Sequence, residues 1–159
     1  MRLWIIGKRG MLTKAFQRKC QERGVDYVAT SCKEVNVEDT SGVTSQFETL
    51  RFTHVINCSG YTAVDGAEDE KERAYALNTS AVECLAKLAK TYQKKLIHFS
   101  TDYVFDGNHE MYAEEAPTAP LSIYGKSKEE GEKKLFEYQC ILIFQLLLMV
   151  LLLHHFEIQ

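Results

Sequence analysis

Proline and paired cysteines are what this sequence has least of. It contains two prolines among 159 residues, both between residues 117 and 120, so proline interrupts no other segment. Its five cysteines are scattered and form no C-x-x-C pair, which argues against a zinc ribbon or a disulfide framework and favours reduced thiols. Because no secretory signal is visible, we expect a cytoplasmic protein.

The chain also lacks a strong net charge and a long apolar run. Its formal net charge of −3 gives no reason to expect nucleic acid as a partner. The apolar run at residues 141–153 is interrupted by Gln145 and is shorter than the ~20 residues of a membrane span. The adjacent His154 and His155 have no further ligands beside them, so no metal site is expected. A chain of this length with 45% hydrophobic residues predicts one domain with a sizeable core.

Short apolar runs alternate with longer amphipathic stretches along the chain. The spacing predicts strands at residues 3–6, 25–30, 54–57, 96–100 and 141–144, and helices at residues 10–23, 43–50, 67–91 and 122–138. Residues 102–120 are predicted to form a loop. Strands that alternate with helices indicate an α/β fold, a Rossmann-type doubly wound parallel sheet. In such sheets ligands bind at the carboxyl ends of the strands, here at residues 7–13, 58–65 and 100–106.

The first of these segments reads GKRGMLT and is nearly a dinucleotide-binding fingerprint. Gly7 permits a tight turn, and Gly10 lets the backbone approach a pyrophosphate at the start of a helix. Thr13 stands where the third glycine is expected. The segment is therefore interpreted as a phosphate loop, with an ordinary strand-to-helix turn as the alternative.

The residues after the second predicted strand bear on the choice of cofactor. NAD sites place an acid there to hold the ribose 2′-hydroxyl, and this chain has none before Glu34. Arg9 and Lys33 are candidates for a 2′-phosphate, although Lys33 fits a solvated charge better. NADPH is therefore expected, with NADH as the alternative.

Tyr124 and Lys128 are spaced i, i+4 and share one face of a predicted helix. An ammonium one turn away would lower the pKa of the tyrosine, which would make it a usable general acid. Ser100 and Thr101 end the preceding strand and offer a hydroxyl to a substrate carbonyl. A solvated helix face is the alternative interpretation of the Tyr-x-x-x-Lys pair.

These stretches together resemble a known family. IIGKRGML, HVINCSGYTAVDGAEDE, AYALNTSA, HFSTDYVFDG and APLSIYGKSKEEGEK occur in this order, and they are similar to the dTDP-4-dehydrorhamnose reductases of the extended short-chain dehydrogenase/reductase branch. The resemblance implies an oxidoreductase that reduces the C4 keto group of dTDP-4-dehydro-L-rhamnose with NADPH, in dTDP-L-rhamnose biosynthesis.

The resemblance also implies residue roles. The catalytic residues would be Thr101, which orients the carbonyl, Tyr124, which protonates its oxygen, and Lys128, which holds the nicotinamide ribose. Asp102 would approach the sugar. The cofactor-binding residues would be Gly7, Gly10, Met11 and Leu12 at the pyrophosphate, Asn36 and Val37 at the adenine, and Cys58, Ser59, Gly60 and Tyr61 after the third strand. The related GDP-fucose synthases carry an arginine at the position of Arg9, which favours a 2′-phosphate contact.

The resemblance ends near residue 144. We therefore divide the chain into an NAD(P)-binding Rossmann domain, residues 1–144, and an apolar tail, residues 145–159, without family resemblance. The expectation is a truncated or frameshifted enzyme that lacks most of the C-terminal substrate-binding region and has impaired activity. Self-association through the tail, or a homodimer, is expected. The alternative function is a non-catalytic NADP-binding module, similar to the methionine adenosyltransferase regulatory subunit, although the TAVD stretch at residues 62–65 favours the reductase.

Overall fold

Five parallel strands form one sheet in the computed structural model, which describes residues 1–109, 112–113, 116–139 and 141–144. The strands are β1 (Arg2–Ile6), β2 (Asp26–Thr30), β3 (His54–Asn57), β4 (Lys95–Phe99) and β5 (Ile141–Phe144), in the spatial order β2-β1-β3-β4-β5. All five predicted strands are confirmed within one residue at each end. The predicted tail at residues 145–159, and the self-association expected through it, lie outside the described residues.

The strand order indicates a crevice at the carboxyl ends of β1 and β3. The chain moves from β1 to β2 on one side and then crosses to β3 on the other, so the strand order reverses between β1 and β3. Ile6 lies opposite both Thr30 and Asn57, which aligns the carboxyl ends of the three strands. Ligands of doubly wound sheets bind at this reversal point.

The described residues include six α-helices. They are α1 (Met11–Glu22), α2 (Thr40–Thr49), α3 (Gly66–Asp69), α4 (Lys71–Tyr75), α5 (Ala81–Thr91) and α6 (Ile123–Tyr138). Side chains fix two of the helix starts: Asp39 accepts from the Ser41 amide before α2, and Ser122 accepts from the Gly125 amide before α6. The predicted loop at residues 102–120 begins with a short 3-10 turn, Asp102–Val104.

The prediction of one helix over residues 67–91 is wrong. The chain leaves the helical conformation at Glu70 (φ −109°, ψ 44°) and passes through a π-helical turn, Ala76–Ser80, before α5 begins. Apolar residues keep helical spacing throughout, so periodicity alone does not detect the break. The π turn presents Asn78 to side chains and backbone outside its own helix, and such turns are frequent at functional sites.

The core lies on both faces of the sheet. On one face Trp4 and Ile6 pack with Phe47, Leu85 and Leu135. On the other face a smaller cluster contains Leu3, Ile5, Cys20 and Ile56. Alternate residues of β1 thus face opposite layers of helices, which confirms the doubly wound fold. No helix among the described residues is long and apolar enough to cross a membrane.

Candidate active site

The glycine loop leaves β1 in a conformation that favours glycine at its first position. Gly7 has φ +100°, and a Cβ there would lie 3.0 Å from the Cys58 carbonyl oxygen at the end of β3. Gly10 precedes α1 with no side-chain cap, and its amide donates to the Gly7 carbonyl at 2.9 Å. An uncapped helix start beside a narrow turn suits an anion.

Thr13, at the position of the missing third glycine, is completely buried between α1 and the sheet. It lies against Cys58, whose backbone also contacts the loop. Burial raises the pKa of the Cys58 thiol to about 11, and the Thr13 hydroxyl acts in the opposite direction. Thr13 is thus buried beside the glycine loop, with its hydroxyl oxygen 3.8 Å from the position of a Cβ on Gly10.

Glu34, the first acidic residue after β2, is hydrogen-bonded to Ser31, which directly follows that strand. The Glu34 carboxylate accepts from the Ser31 amide at 2.8 Å and from the Ser31 hydroxyl at 2.7 Å, and these bonds lower its pKa to about 2. Lys8, in the glycine loop, lies 3.4 Å from the same carboxylate. Arg9 is exposed, and it takes part in none of the ion pairs found among the described residues.

Thr101 and Tyr124 come together at the carboxyl end of β4. Thr101 is buried, and its hydroxyl oxygen accepts from the Tyr103 amide at 3.3 Å. Burial raises the pKa of Tyr124, and the neighbouring Thr101 hydroxyl lowers it in part. The Tyr124 ring stands edge-on to Tyr103, with 5.5 Å between ring centroids. The predicted hydroxyl–tyrosine pair is therefore present.

The two hydroxyls that end β4 point to different partners. Ser100 donates to the Glu132 carboxylate of α6, and both side chains are buried. Burial raises the pKa of Glu132, and the Ser100 hydrogen bond lowers it in part. Because Ser100 is engaged there, Thr101 is the hydroxyl available beside Tyr124.

Lys128 does not lower the pKa of Tyr124 in this structure, so that expectation is wrong. Its ammonium nitrogen lies 2.5 Å from the Phe99 carbonyl oxygen and 3.2 Å from Nε2 of His98. The side chain thus turns toward β4, although it shares a helix face with Tyr124. Burial lowers the pKa of Lys128 to about 8.

Comparisons with known proteins agree with this geometry. Residues 1–144 match the family model described as the RmlD substrate binding domain. The chain belongs to this family. The dTDP-4-dehydrorhamnose reductase of Escherichia coli (strain K12) is 38% identical over 144 residues, which cover 87% of this chain and 48% of that protein. A probable dTDP-4,6-dihydroxy-2-methyloxan-3-one 4-ketoreductase of Streptomyces antibioticus is 39% identical over 135 residues, 84% of this chain and 46% of that protein.

Solved structures of dTDP-4-dehydrorhamnose reductases have the same fold. A dTDP-4-dehydrorhamnose reductase from Clostridium acetobutylicum superposes with a TM-score of 0.87 at 30% identity, over 91% of this chain and 52% of that one. The enzyme from Bacillus anthracis, solved in complex with NADP, gives 0.86 at 33% identity over the same shares. The chain spans about half the length of the curated relatives it matches.

The remaining predicted cofactor residues of this RmlD-family chain differ in exposure. Met11 is exposed and Leu12 is half-buried, both at the start of α1. Val37 belongs to the core, whereas Asn36 is exposed and accepts from the Glu38 amide. Asn36 and Val37 follow β2 in the chain, and their contact with the adenine stays a prediction.

The segment after β3 lies beside the glycine loop. Cys58, Ser59 and Gly60 are half-buried. The Tyr61 ring instead packs with Ala67 and Ala74, and its hydroxyl donates to Glu70 at 2.8 Å. The Tyr61 side chain is therefore engaged within the protein, and its role as a cofactor contact stays a prediction.

Sequence reasoning missed the polar residues that hold α6 in place. Asn78 donates to the Ser127 hydroxyl at 3.0 Å, and its side chain exchanges two hydrogen bonds with the Tyr61 backbone. A Cβ at Gly131 would lie 2.1 Å from the Asn78 carbonyl oxygen, so α6 and the π turn are in backbone contact. An asparagine inside an otherwise apolar helical pattern is the signal that could have identified this contact.

Proposed function

We propose that residues 1–144 form the NADP-binding domain and the catalytic residues of a reductase that acts on a dTDP-linked 4-keto sugar. The observation that carries the proposal is the Thr101–Tyr124 pair at the carboxyl end of β4, one strand from the β1–β3 crevice. The names of the relatives support dTDP-4-dehydro-L-rhamnose as the sugar. Because this chain spans about half the length of those relatives, the reductase activity is proposed for the whole enzyme.

The glycine loop is proposed to bind the cofactor pyrophosphate through the amides that begin α1. Gly7 and Gly10 keep side chains out of this place, and Met11 and Leu12 supply amides. Arg9 is proposed to contact a 2′-phosphate, since Lys8 already faces Glu34. The NADP complex of the Bacillus anthracis enzyme supports NADPH. When bound, NADPH supplies the hydride.

Tyr124 is proposed as the proton donor to the C4 oxygen of the sugar. Its raised pKa keeps the hydroxyl protonated at neutral pH, so it holds the proton until negative charge develops on the substrate oxygen. Thr101 is proposed to orient that oxygen by donating a second hydrogen bond, for which its hydroxyl hydrogen must turn from Asp102 toward the substrate. The carbonyl thus gains a hydride at carbon and a proton at oxygen, and Tyr124 regains its proton from solvent.

Lys128 and Asp102 complete the proposed site. Lys128 is proposed to hold the nicotinamide ribose, which requires its amine to turn from β4 toward the crevice. Asp102 is exposed beside Thr101, whose hydroxyl donates to it at 3.2 Å, and it is proposed to approach the sugar.

A homodimer and a cytoplasmic location are also proposed. The four described cysteines are free thiols, as a reducing compartment requires.

The alternative, a non-catalytic regulatory module, is not favoured. Both curated relatives described above are named as reductases, and the chain retains both Tyr124 and Thr101 in contact. A regulatory module would need neither the hydroxyl nor its orientation toward a substrate.

A chimera tests the proposal because the chain matches about half of each relative. Residues 1–144 are joined to the remaining half of the Escherichia coli reductase, and NADPH oxidation is followed with the dTDP-4-keto sugar. We expect turnover by this chimera and only slight turnover by its Tyr124→Phe variant. A folded chimera that binds NADPH but reduces no keto sugar would contradict the proposal.

A further inference from the structure

A chain of buried polar side chains connects the end of β3 to Lys128. Asn57 and His98 are each 2% exposed, and Lys128 is 7% exposed. Nδ2 of Asn57 lies 3.1 Å from Nδ1 of His98, and Nε2 of His98 lies 3.2 Å from the Lys128 nitrogen. The proposed reaction assigns no role to Asn57 or His98.

The orientation of the Asn57 amide follows from its other contacts. Oδ1 accepts from the Ser59 backbone amide at 3.0 Å and from the Ser59 hydroxyl at 2.6 Å. A backbone amide can only donate, so Oδ1 and not Nδ2 must face it. Nδ2 therefore points to His98 and donates to Nδ1.

This donor settles the position of the proton on His98. Nδ1 accepts from Asn57, so a neutral imidazole carries its hydrogen on Nε2. Burial and the nearby Lys128 lower the pKa of His98 well below its usual range, which keeps the ring neutral. The Nε2–H group then faces the nitrogen of Lys128.

An Nε2–H group opposes the charged form of Lys128. An ammonium carries only donors, whereas a neutral amine can accept from Nε2–H and still donate to the Phe99 carbonyl. Glu132, one turn further along α6, acts in the opposite direction and favours the ammonium. From β4, the group that faces Lys128 is the neutral His98.

We propose that Asn57 and His98 are positioning residues that hold Lys128 against β4 and weaken its affinity for a proton. Asn57 does so by fixing the Nε2–H tautomer, and His98 by presenting that hydrogen to the lysine. If the proposed reductase is correct, this pair sets the alkaline pH at which a charged Lys128 is lost from the site.

The test uses the 159-residue chain and needs no cofactor. Nitrogen-15 NMR reports which ring nitrogen of His98 is protonated, and carbon-13 NMR of labelled lysine follows the titration of Lys128, whose signal is identified by its absence in Lys128→Met. We expect a protonated Nε2, an unprotonated Nδ1 and a Lys128 midpoint well below those of the other lysines. A protonated Nδ1, or a Lys128 midpoint equal to those of the exposed lysines, would overturn the proposal.

Two variants change the tautomer in a defined way. In Asn57→Asp a carboxylate oxygen accepts from Nδ1–H, so Nε2 becomes an acceptor for the ammonium, and the Lys128 midpoint should rise by about one pH unit or more. Asn57→Ala removes the donor without adding charge and should also move the proton to Nδ1 and raise the midpoint. If Asn57→Ala does not fold, the isosteric Asn57→Asp carries the test.

Ser59→Ala is the matched control. It removes the hydroxyl but keeps the backbone amide that orients Asn57, so the tautomer and the Lys128 midpoint should stay unchanged. A protonated Nε2 that persists in Asn57→Asp would contradict the role given to Asn57. Because the measurements use no cofactor or sugar, their failure is separate from failure of the proposed reductase.

Discussion

Gly7 lies directly against the Cys58 carbonyl, with 3.0 Å between that oxygen and the position of a Cβ. The contact joins the turn after β1 to the end of β3, the two strands that flank the crevice. With φ +100°, Gly7 has no room and no favourable conformation for a larger side chain. The shape of the glycine loop thus depends on β3 as well as on its own sequence.

Gly7→Ala should therefore destabilise the protein by about 1–3 kcal/mol, because it combines backbone strain with a clash against a carbonyl. Denaturant unfolding measures the loss. Gly10→Ala is the matched control: its Cβ would meet the Gly7 carbonyl at 3.5 Å, an ordinary contact, and stability should change little. Equal losses in both variants would show that the β3 contact is not the cause.

Gly131→Ala should also be strongly destabilising. The added Cβ would lie 2.1 Å from the Asn78 carbonyl oxygen, so α6 must move away from the π turn. Overpacking of this kind costs about 1–3 kcal/mol or more. Lys126→Ala on the exposed side of the same helix should stay within about 0.5 kcal/mol. Thermal unfolding of both variants compares them, and a tolerated Gly131→Ala would rule out the backbone contact.

Arg9 should distinguish NADPH from NADH. A charge-assisted hydrogen bond from Arg9 to a 2′-phosphate contributes about 1.5–3 kcal/mol, so Arg9→Ala in the chimera should weaken NADPH about tenfold or more. NADH, which lacks that phosphate, should bind as before. Fluorescence titration gives both affinities, with Lys8→Ala as the control because Lys8 faces Glu34. An equal loss of affinity for the two cofactors would show that Arg9 does not contact the 2′-phosphate.

Lys128 should make stability depend on alkaline pH. Its pKa is about 8 when folded and 10.5 in the unfolded chain, so between these values the unfolded chain binds more protons. The contribution of Lys128 to the free energy of unfolding should therefore rise with pH across this window, by about 3 kcal/mol, and be least favourable below pH 8.

Lys128→Met isolates this effect. The difference in free energy of unfolding between the two proteins should shift by that amount from pH 8 to 10.5. Cys58, whose pKa is raised to about 11, gives the opposite trend above pH 9 but cancels in the difference. A difference that is independent of pH would show that Lys128 keeps an ordinary pKa in the folded protein.

The sequence predicted the strands well because short apolar runs bounded by turn residues indicate buried parallel strands directly. It also located Thr101 and Tyr124, since a strand end and a helix face are local features. The direction of Lys128 could not be predicted, because it depends on Phe99 and His98, about thirty residues away in the chain. The π turn was not predicted for a similar reason. Asn78 bonds to Tyr61 and Ser127, which only the folded chain brings near it.

Turnover of the Tyr124→Phe chimera tests the central claim most directly. The phenylalanine keeps the ring but removes the proton donor, so kcat for the dTDP-4-keto sugar should fall by about 10²–10⁴, while NADPH affinity barely changes. Stopped-flow measurement of NADPH oxidation under single-turnover conditions separates the chemical step from product release. A fall in that range with unchanged NADPH binding is the result that the proposed site predicts. Near-normal turnover by the Phe variant would mean that another group supplies the proton and that Tyr124 does not define this active site.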